Sequence, residues 1–463
     1  LLGDIHSTKM INSSKTGLIS NSSLILIAYA IVFFPRFLTS FGAPDIINFL
    51  HFIFVPAISV FILFTIRTKR RSQINLVWDI LVGMIVVLLV TVFSAVVNQA
   101  GIVNIALQYL FQTEAFLFLA AMLAVPLAGV SLLRLKEYVL KFALCNLVLA
   151  LAQSVLLPIG IYPKPSGGTI QDNITGVFGG GGGSAANYVS CTVSFYFALY
   201  FFLNYKFVPR WIRGGLLLAA CYQIQVSDSK QIFMALAAGY GLLLLTKVKD
   251  PLKLCIYLVS IAAVTVVCGW ALLNLKLEIL QPYQNWINRD IWGFDGLAAR
   301  TKFAAFRIIP SYFTSPLNWL IGLGPGHTVT RLGGWVMRDY KSMLVPLGAT
   351  IHPASQRIFD IVTISYLPRE STVYFPLYTW AGIWGDTGVV GLSAYIYLCS
   401  IVWRRVCVDD LGKFMLLSTA VLGCILTQME EPGQMITIAC LLSIRWHEEQ
   451  EKKTVRDLLS NSS

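Results

Sequence analysis

Residues 76–97 read LVWDILVGMIVVLLVTVFSAVV, an apolar run that meets the ~20 residues a helix needs to cross a bilayer. Working outward, runs of the same kind fall at 23–42, 46–66, 104–128, 138–159, 187–205, 211–226, 230–246, 253–274, 376–403, 411–428 and 432–446. Those at 211–226, 230–246 and 432–446 are short, which suits helices that tilt little or open onto a polar cavity. Composition agrees: 56% of the 463 residues are apolar and 13% charged, against about 25% charged in a soluble domain. The expected fold is all-α, a polytopic integral membrane protein of about twelve transmembrane helices with a large outer loop containing amphipathic helices. Residues 1–22 are polar and lack the cleavage pattern of a signal peptide. The first apolar run is therefore expected to be a retained span.

Lysine and arginine sort by side. With the N-terminus inside, the inner loops hold Arg67, Lys69, Arg70, Arg71, Arg134, Lys136, Lys141, Lys206, Arg210, Arg213, Lys247, Lys249, Lys253, Arg404, Arg405 and Lys413; the short outer loops hold only Lys164 and Lys230. That bias marks the cytoplasmic side. It also accounts for most of the net charge of +12 without invoking nucleic acid. The expected organisation is a cytoplasmic tail (1–22), helices one to nine (23–274) with a Gly-rich outer loop (160–186), a large periplasmic loop (275–375), helices ten to twelve (376–446) and a cytoplasmic tail (447–463).

A loop as long as 275–375 is usually functional or has its own structure. Within it, Leu297 to Ile309 alternates apolar residues with Arg300, Lys302 and Arg307 and reads as an amphipathic interfacial helix. In the loop at 160–186, Gly179 to Gly183 run consecutively; the run is either a linker or backbone that approaches a ligand closely. All nine cysteines fall in spans or at inner edges, so an exported disulfide framework is not expected. There is no CxxC, HExxH, Walker A or dinucleotide fingerprint. A metal site, an ATP-driven pump and a nicotinamide enzyme therefore have no support, and no cofactor is expected.

Four outer-facing motifs stand out. Gly176-Val177-Phe178 is followed by Asn187 at the start of a span. Ser227-Asp228-Ser229-Lys230 puts a cation at a helix N-terminus, where a lone lysine otherwise snorkels. Arg300 and Arg307 lead to Gly322-Leu323-Gly324-Pro325-Gly326-His327, a tight turn. Asp386 opens Asp386-Thr387-Gly388-Val389-Val390-Gly391-Leu392 inside a span, where a charge needs a partner. In this order the motifs resemble those of the bacterial O-antigen polymerases and ligases, membrane glycosyltransferases of the GT-C type. The resemblance covers roughly residues 170–395. It implies a donor glycan carried on a polyprenyl diphosphate, transfer at the periplasmic face of the inner membrane, and company with a flippase and a chain-length regulator. The chain departs from the family in having Lys230 where arginine is usual and Asn173 where an arginine often precedes Gly-x-Phe. It also lacks the ligase His-Asn pair between Tyr374 and Tyr378. The last absence favours a polymerase over a ligase.

Transfer of the sugar expels a lipid diphosphate, so fixed cations near the leaving group stabilise the transition state. Lys230, Arg300, Arg307 and Arg36, in the outer half of the first span, are the candidate diphosphate ligands. Gly176, Asn187, Ser227, Gly324 and Gly326 are carried over from the motifs as substrate-binding positions. His327, His352 and Asp386 are candidates for the catalytic base, Asp386 alternatively organising the cations. Trp286, Trp292, Tyr312, Trp319, Trp335 and Tyr340 suit either sugar stacking or a membrane-interface belt. His51 and Glu114 lie within spans and read as packed, hydrogen-bonded residues. A flippase or transporter is the reading from another class; it predicts internal repeats and charges along the spans.

Overall fold

The computed structural model describes residues 20–66, 68, 70–163, 169–179, 186–248, 250–275, 281–291, 293 and 295–460. The polar tail with Lys9 and Lys15, Arg67, Lys69, Lys164, glycines 180–183, Lys249 and Trp292 lie outside the described residues. The first half contains α1 (Asn21–Phe33), α2 (Pro35–Thr39), α3 (His51–Thr65), α4 (Arg71–Val97), α5 (Ile102–Ala124) and α6 (Gly129–Leu156). Next come α7 (Ala186–Asn204), α8 (Arg210–Val226), α9 (Lys230–Lys247) and α10 (Pro251–Asn274). A stretch of short helices follows: α11 (Gln281–Ile287), α12 (Leu297–Lys302), α13 (Ala304–Ser311), α14 (Pro316–Ile321), α15 (Met337–Asp339), α16 (Lys341–Leu344), α17 (Pro353–Ile364) and α18 (Leu367–Glu370). The chain ends in α19 (Thr379–Ile401), α20 (Asp410–Gly423) and α21 (Pro432–Ser460). No strand occurs among the described residues.

Eight helical stretches among the described residues are long and apolar enough to cross a membrane: Asn21–Thr39, Asp45–Thr65, Arg71–Val97, Ile102–Ala124, Gly129–Leu156, Ala186–Asn204, Cys255–Asn274 and Thr372–Val406. The other four expected spans form helices that are shorter or more polar. α8 has 17 residues and α20 has 14. α9 has lysines at both ends, and α21 runs on through a charged segment to Ser460. α9 and α20 pack closely: a Cβ at Gly239 would meet the Ser418 backbone.

α5 is central, packed by α3, α4 and α21. It carries the buried polar residues Asn104, Gln108, Gln112, Thr113 and Glu114. Polar groups at membrane depth are tolerated when neighbouring helices satisfy them, so α5 is the helix on which a polar site can be built. The expected single helix from Leu297 to Ile309 is broken at Phe303 into α12 and α13. Lys302 explains the break. Its Nζ turns inward to donate to the carbonyls of Phe375 (2.9 Å) and Ile425 (2.5 Å), beneath the Tyr378 ring. Arg300 and Arg307 stay exposed on the surface.

On the opposite side, α21 continues as helix well past its apolar part. Glu448 accepts from Lys136 at 2.9 Å and from the Tyr200 hydroxyl at 3.0 Å, while Arg445 reaches Asp409 at 2.8 Å. Half-buried groups bridging separate helices hold better than exposed pairs. They fasten α21 to α6, α7 and the start of α20.

Candidate functional site

Pro35 ends α1 and starts α2, since proline cannot continue a helix but suits the first helical position. Arg36 is therefore placed in the first turn of α2, and its Nη2 donates to Glu431 Oε2 at 3.0 Å. Glu431 precedes Pro432, which forces extended backbone on the residue before it; its φ of −87° and ψ of 112° fit that constraint. From the short-helix segment, Arg331 brings its Nη1 to the other oxygen of Glu431. Its backbone N–H donates to Glu430, and Gln108 of α5 donates to the same carboxyl at 3.4 Å. Two guanidiniums thus share one carboxylate, and all three side chains are at least 85% buried.

The charges do not cancel. Burial alone would raise the Glu431 carboxyl, but Arg331 and Arg36 outweigh it and hold it below the usual range. Burial pushes Glu430 up to about 8, so it is neutral at physiological pH. The four groups then carry one net positive charge. Beside them lies a cavity of about 40 Å³ lined by Arg36, Asn48, Phe49, His51, Phe52, Phe111, Arg331, Trp335, Val336, Asp339 and Tyr340. Two atoms on lining residues, Arg331 Nε and Asn48 Oδ1, are buried without a hydrogen-bond partner among the described residues. An unpaired buried polar group costs about 1–3 kcal/mol, a penalty that a polar ligand or water removes. A volume of this size admits a few waters or a charged terminus, at ~10–15 Å³ each; a sugar ring does not fit wholly inside.

The Glu430 carboxyl gives a pH dependence of definite sign. Its folded value lies above the unfolded one, so its contribution is complete at low pH and is lost as pH rises toward 8. The melting temperature of the purified protein is expected to fall between about pH 5 and 8 and to level off above that, and Glu430→Gln to remove most of that fall. An equal fall in the variant contradicts the assignment.

The motif residues are mostly fasteners. Asp386, fully buried on α19, accepts from Gly326 N–H (2.7 Å), Thr330 (2.9 Å) and Thr328 (2.6 Å). Its backbone carbonyl takes Gly324 N–H at 2.9 Å. With its oxygens so engaged, Asp386 organises the glycine turn, and it does not line the cavity. Gly324 and Gly326 have φ of +104° and +69°; they shape the turn that delivers Arg331.

Neither His327 nor His352 is placed as a base. His327 Nδ1 donates to the Leu323 carbonyl at 2.8 Å and Nε2 accepts from Thr350 at 2.7 Å, so both ring nitrogens are committed. His352 caps α17: its Nδ1 accepts from Ala354 N–H at 3.1 Å, which leaves the proton on Nε2. Burial and the neighbouring His327 ring lower His352 to about 4, so it is neutral at physiological pH. His352→Ser, which keeps a capping oxygen, is expected to retain activity within about threefold, and His352→Ala to cost about 1 kcal/mol of stability. Loss of transfer by a folded His352→Ser would restore this histidine as a base.

Gly176 has φ of +56° and is clamped by amides of α6. Gln153 accepts from the Thr175 and Gly176 N–H groups at 2.9 and 2.7 Å, and Asn146 accepts from Val177 N–H at 3.1 Å. Phe178 is thereby seated on Phe33, with ring centroids 5.0 Å apart, and the segment braces α2 and Arg36. Asn187 donates to the Ser227 carbonyl at 3.0 Å, tying α7 to the α8–α9 turn. Lys230 pairs with Asp228 of its own turn at 2.7 Å and is partly exposed. Arg300 lies 4.0 Å from Asp295 and Arg307 donates to the Arg300 carbonyl. Of the four candidate cations, the structure brings only Arg36 into the buried cluster.

The residues that sequence reasoning missed are Arg331, Glu430 and Glu431. One signal was present: Glu430-Glu431-Pro432 puts two carboxylates between two apolar runs, where unpaired charge is costly. Comparison with family models and with curated proteins finds no match for the chain.

Proposed function

We propose that the chain is a bacterial inner-membrane glycosyltransferase that joins oligosaccharide repeats carried on polyprenyl diphosphate at the periplasmic face, building an O-antigen, capsule or exopolysaccharide. The observation that carries this reading is the Arg36–Glu431–Arg331 cluster: two buried guanidiniums sharing one carboxylate, with an unpartnered Nε beside a cavity. Arginine forks match phosphate oxygens bidentately, and fixed cations in a partly dry site favour departure of a diphosphate. The twelve-span arrangement, with both termini in the cytoplasm and the 275–375 segment outside, belongs to the same proposal. It puts Arg36, Arg331 and Glu431 at the outer ends of their elements.

An apolar crevice of about 240 Å³ supports the lipid part of the substrate. It runs along α19 and just past its end, from Trp380 to Trp403, with walls from α5, α20 and α21. Met429, one of its lining residues, directly precedes the Glu430–Glu431 pair in sequence. A prenyl chain in the crevice brings its diphosphate toward the arginines.

Complementation of a polysaccharide-polymerase null strain tests the reading. Restoration of a polymer ladder by the wild-type chain supports it. Restored attachment of single units to a lipid core points to a ligase, and restored export of lipid-linked units in a flippase-null strain points to a flippase.

A further inference from the structure

With the two outer histidines committed to other bonds, the acceptor hydroxyl still needs somewhere to put its proton. The cavity wall supplies a different histidine. His51 begins α3, is 7% exposed, and lines the cavity together with Arg36 and Arg331. Its Nδ1 lies 2.9 and 2.8 Å from the two oxygens of Glu114 on α5. Glu114 is itself 4% exposed. A carboxylate at Nδ1 fixes the proton there and leaves Nε2 as the nitrogen with a lone pair. Nε2 has no hydrogen-bond partner among the described residues. Phe52, with its ring centroid 4.1 Å from that of His51, and Phe111, packed on Phe52, line the same cavity. Other carboxyls at the cavity are engaged: Glu431 with two arginines, Glu430 with Arg331 N–H, and Asp339 with Arg338 at 2.6 Å.

We propose that His51 is the general base of the transfer, with Glu114 as its positioning partner; this rests on the glycosyltransferase reading above. The acceptor hydroxyl gives its proton to His51 Nε2 as its oxygen forms the new bond to the anomeric carbon of the donor sugar. The bond between that carbon and the diphosphate oxygen breaks, and its electron pair leaves with the lipid diphosphate, beside Arg36 and Arg331. The imidazolium is stabilised by the Glu114 carboxylate and returns its proton to water or to the departing diphosphate. A structural ion pair accounts for the same 2.8 Å contact, but not for its place on the wall of the cationic cavity.

The test uses the full-length protein in lipid nanodiscs, with a synthetic polyprenyl-diphosphate-linked repeat as donor and as acceptor. His51→Gln is expected to lower kcat by about 10²–10⁴-fold while KM for the donor changes less than about threefold. Glu114→Gln is expected to lower kcat less, again with little change in KM, and Glu114→Asp to recover most of the loss. Folded His51→Gln protein with kcat within threefold of wild type overturns the inference, as does a variant that loses KM rather than kcat. If neither variant folds, wild-type kcat measured in light and heavy water decides: a slowing of about twofold or more in heavy water supports proton transfer to a base in the transition state, and equal rates overturn it. No release of polyprenyl diphosphate by the wild type overturns the glycosyltransferase reading itself, and the base assignment with it.

Discussion

Arg331→Ala is expected to stop polymer growth while the protein still reaches the membrane, and to strand single lipid-linked repeats on the outer face. Arg331 makes three contributions at once. Its Nη1 pairs with Glu431, its backbone N–H holds Glu430, and its guanidinium lies 5.6 Å from the centroid of Phe111 with Nε unpartnered. The alanine variant keeps the backbone contact to Glu430 and removes the guanidinium, with its pairing to Glu431 and its contact with Phe111. Deleting one fixed donor to a developing negative charge costs about 10²–10³-fold in rate. Glu431 would then have Arg36 alone, and the net charge of the cluster would drop from positive to zero. Arg331→Lys is expected to recover little, because an ammonium lacks the planar fork that reaches two oxygens. Wild-type polymer from a stable Arg331→Ala protein would remove the cluster from the mechanism.

The second large effect is structural and lies at the crossing of α14 and α19. Gly322 has φ of +72°, and a Cβ there would run into the Asp386 carbonyl carbon; Gly388 has φ of +67°, and its Cβ would run into the Leu320 carbonyl. The close approach lets Ser94 of α4 donate to both the Ile321 carbonyl (2.6 Å) and the Asp386 carbonyl (2.8 Å). A methyl at either glycine meets backbone that cannot rotate away. Gly322→Ala or Gly388→Ala is expected to cost about 3 kcal/mol or more, seen as a fall in membrane level and melting temperature. Gly214→Ala is the control: it sits mid-helix with open space around its Cβ, and is expected to be neutral or mildly stabilising. Equal levels for all three variants would mean that the crossing is looser than described.

The membrane character and the helical class were legible because both follow from apolar runs, a local property. The number of spans was less so. Helices such as α8 and α20 are shorter than a bilayer crossing and stand through packing in the bundle, which a hydropathy window does not see. The break between α12 and α13 was hidden for a related reason. The basic periodicity of Arg300, Lys302 and Arg307 is genuine, yet Lys302 finds two carbonyls from distant parts of the chain and turns inward.

At the site, the motif glycines and Asp386 were found where the chain is locally unusual, and they are the scaffold. The groups that carry the charge come together from positions 36, 331 and 431, a convergence that no spacing rule contains. His51 and Glu114 show the same limit. Each was visible as a polar residue in an apolar span, but only tertiary structure pairs them and sets them on the wall of a cationic cavity.

The measurement that bears most directly on the central claim is release of polyprenyl diphosphate by the purified wild-type protein in vesicles supplied with a polyprenyl-diphosphate-linked repeat. Transfer predicts one lipid diphosphate freed for each repeat added, with the carbohydrate product growing by whole repeats. Movement of the intact donor across the bilayer, with no lipid diphosphate freed, would contradict the account.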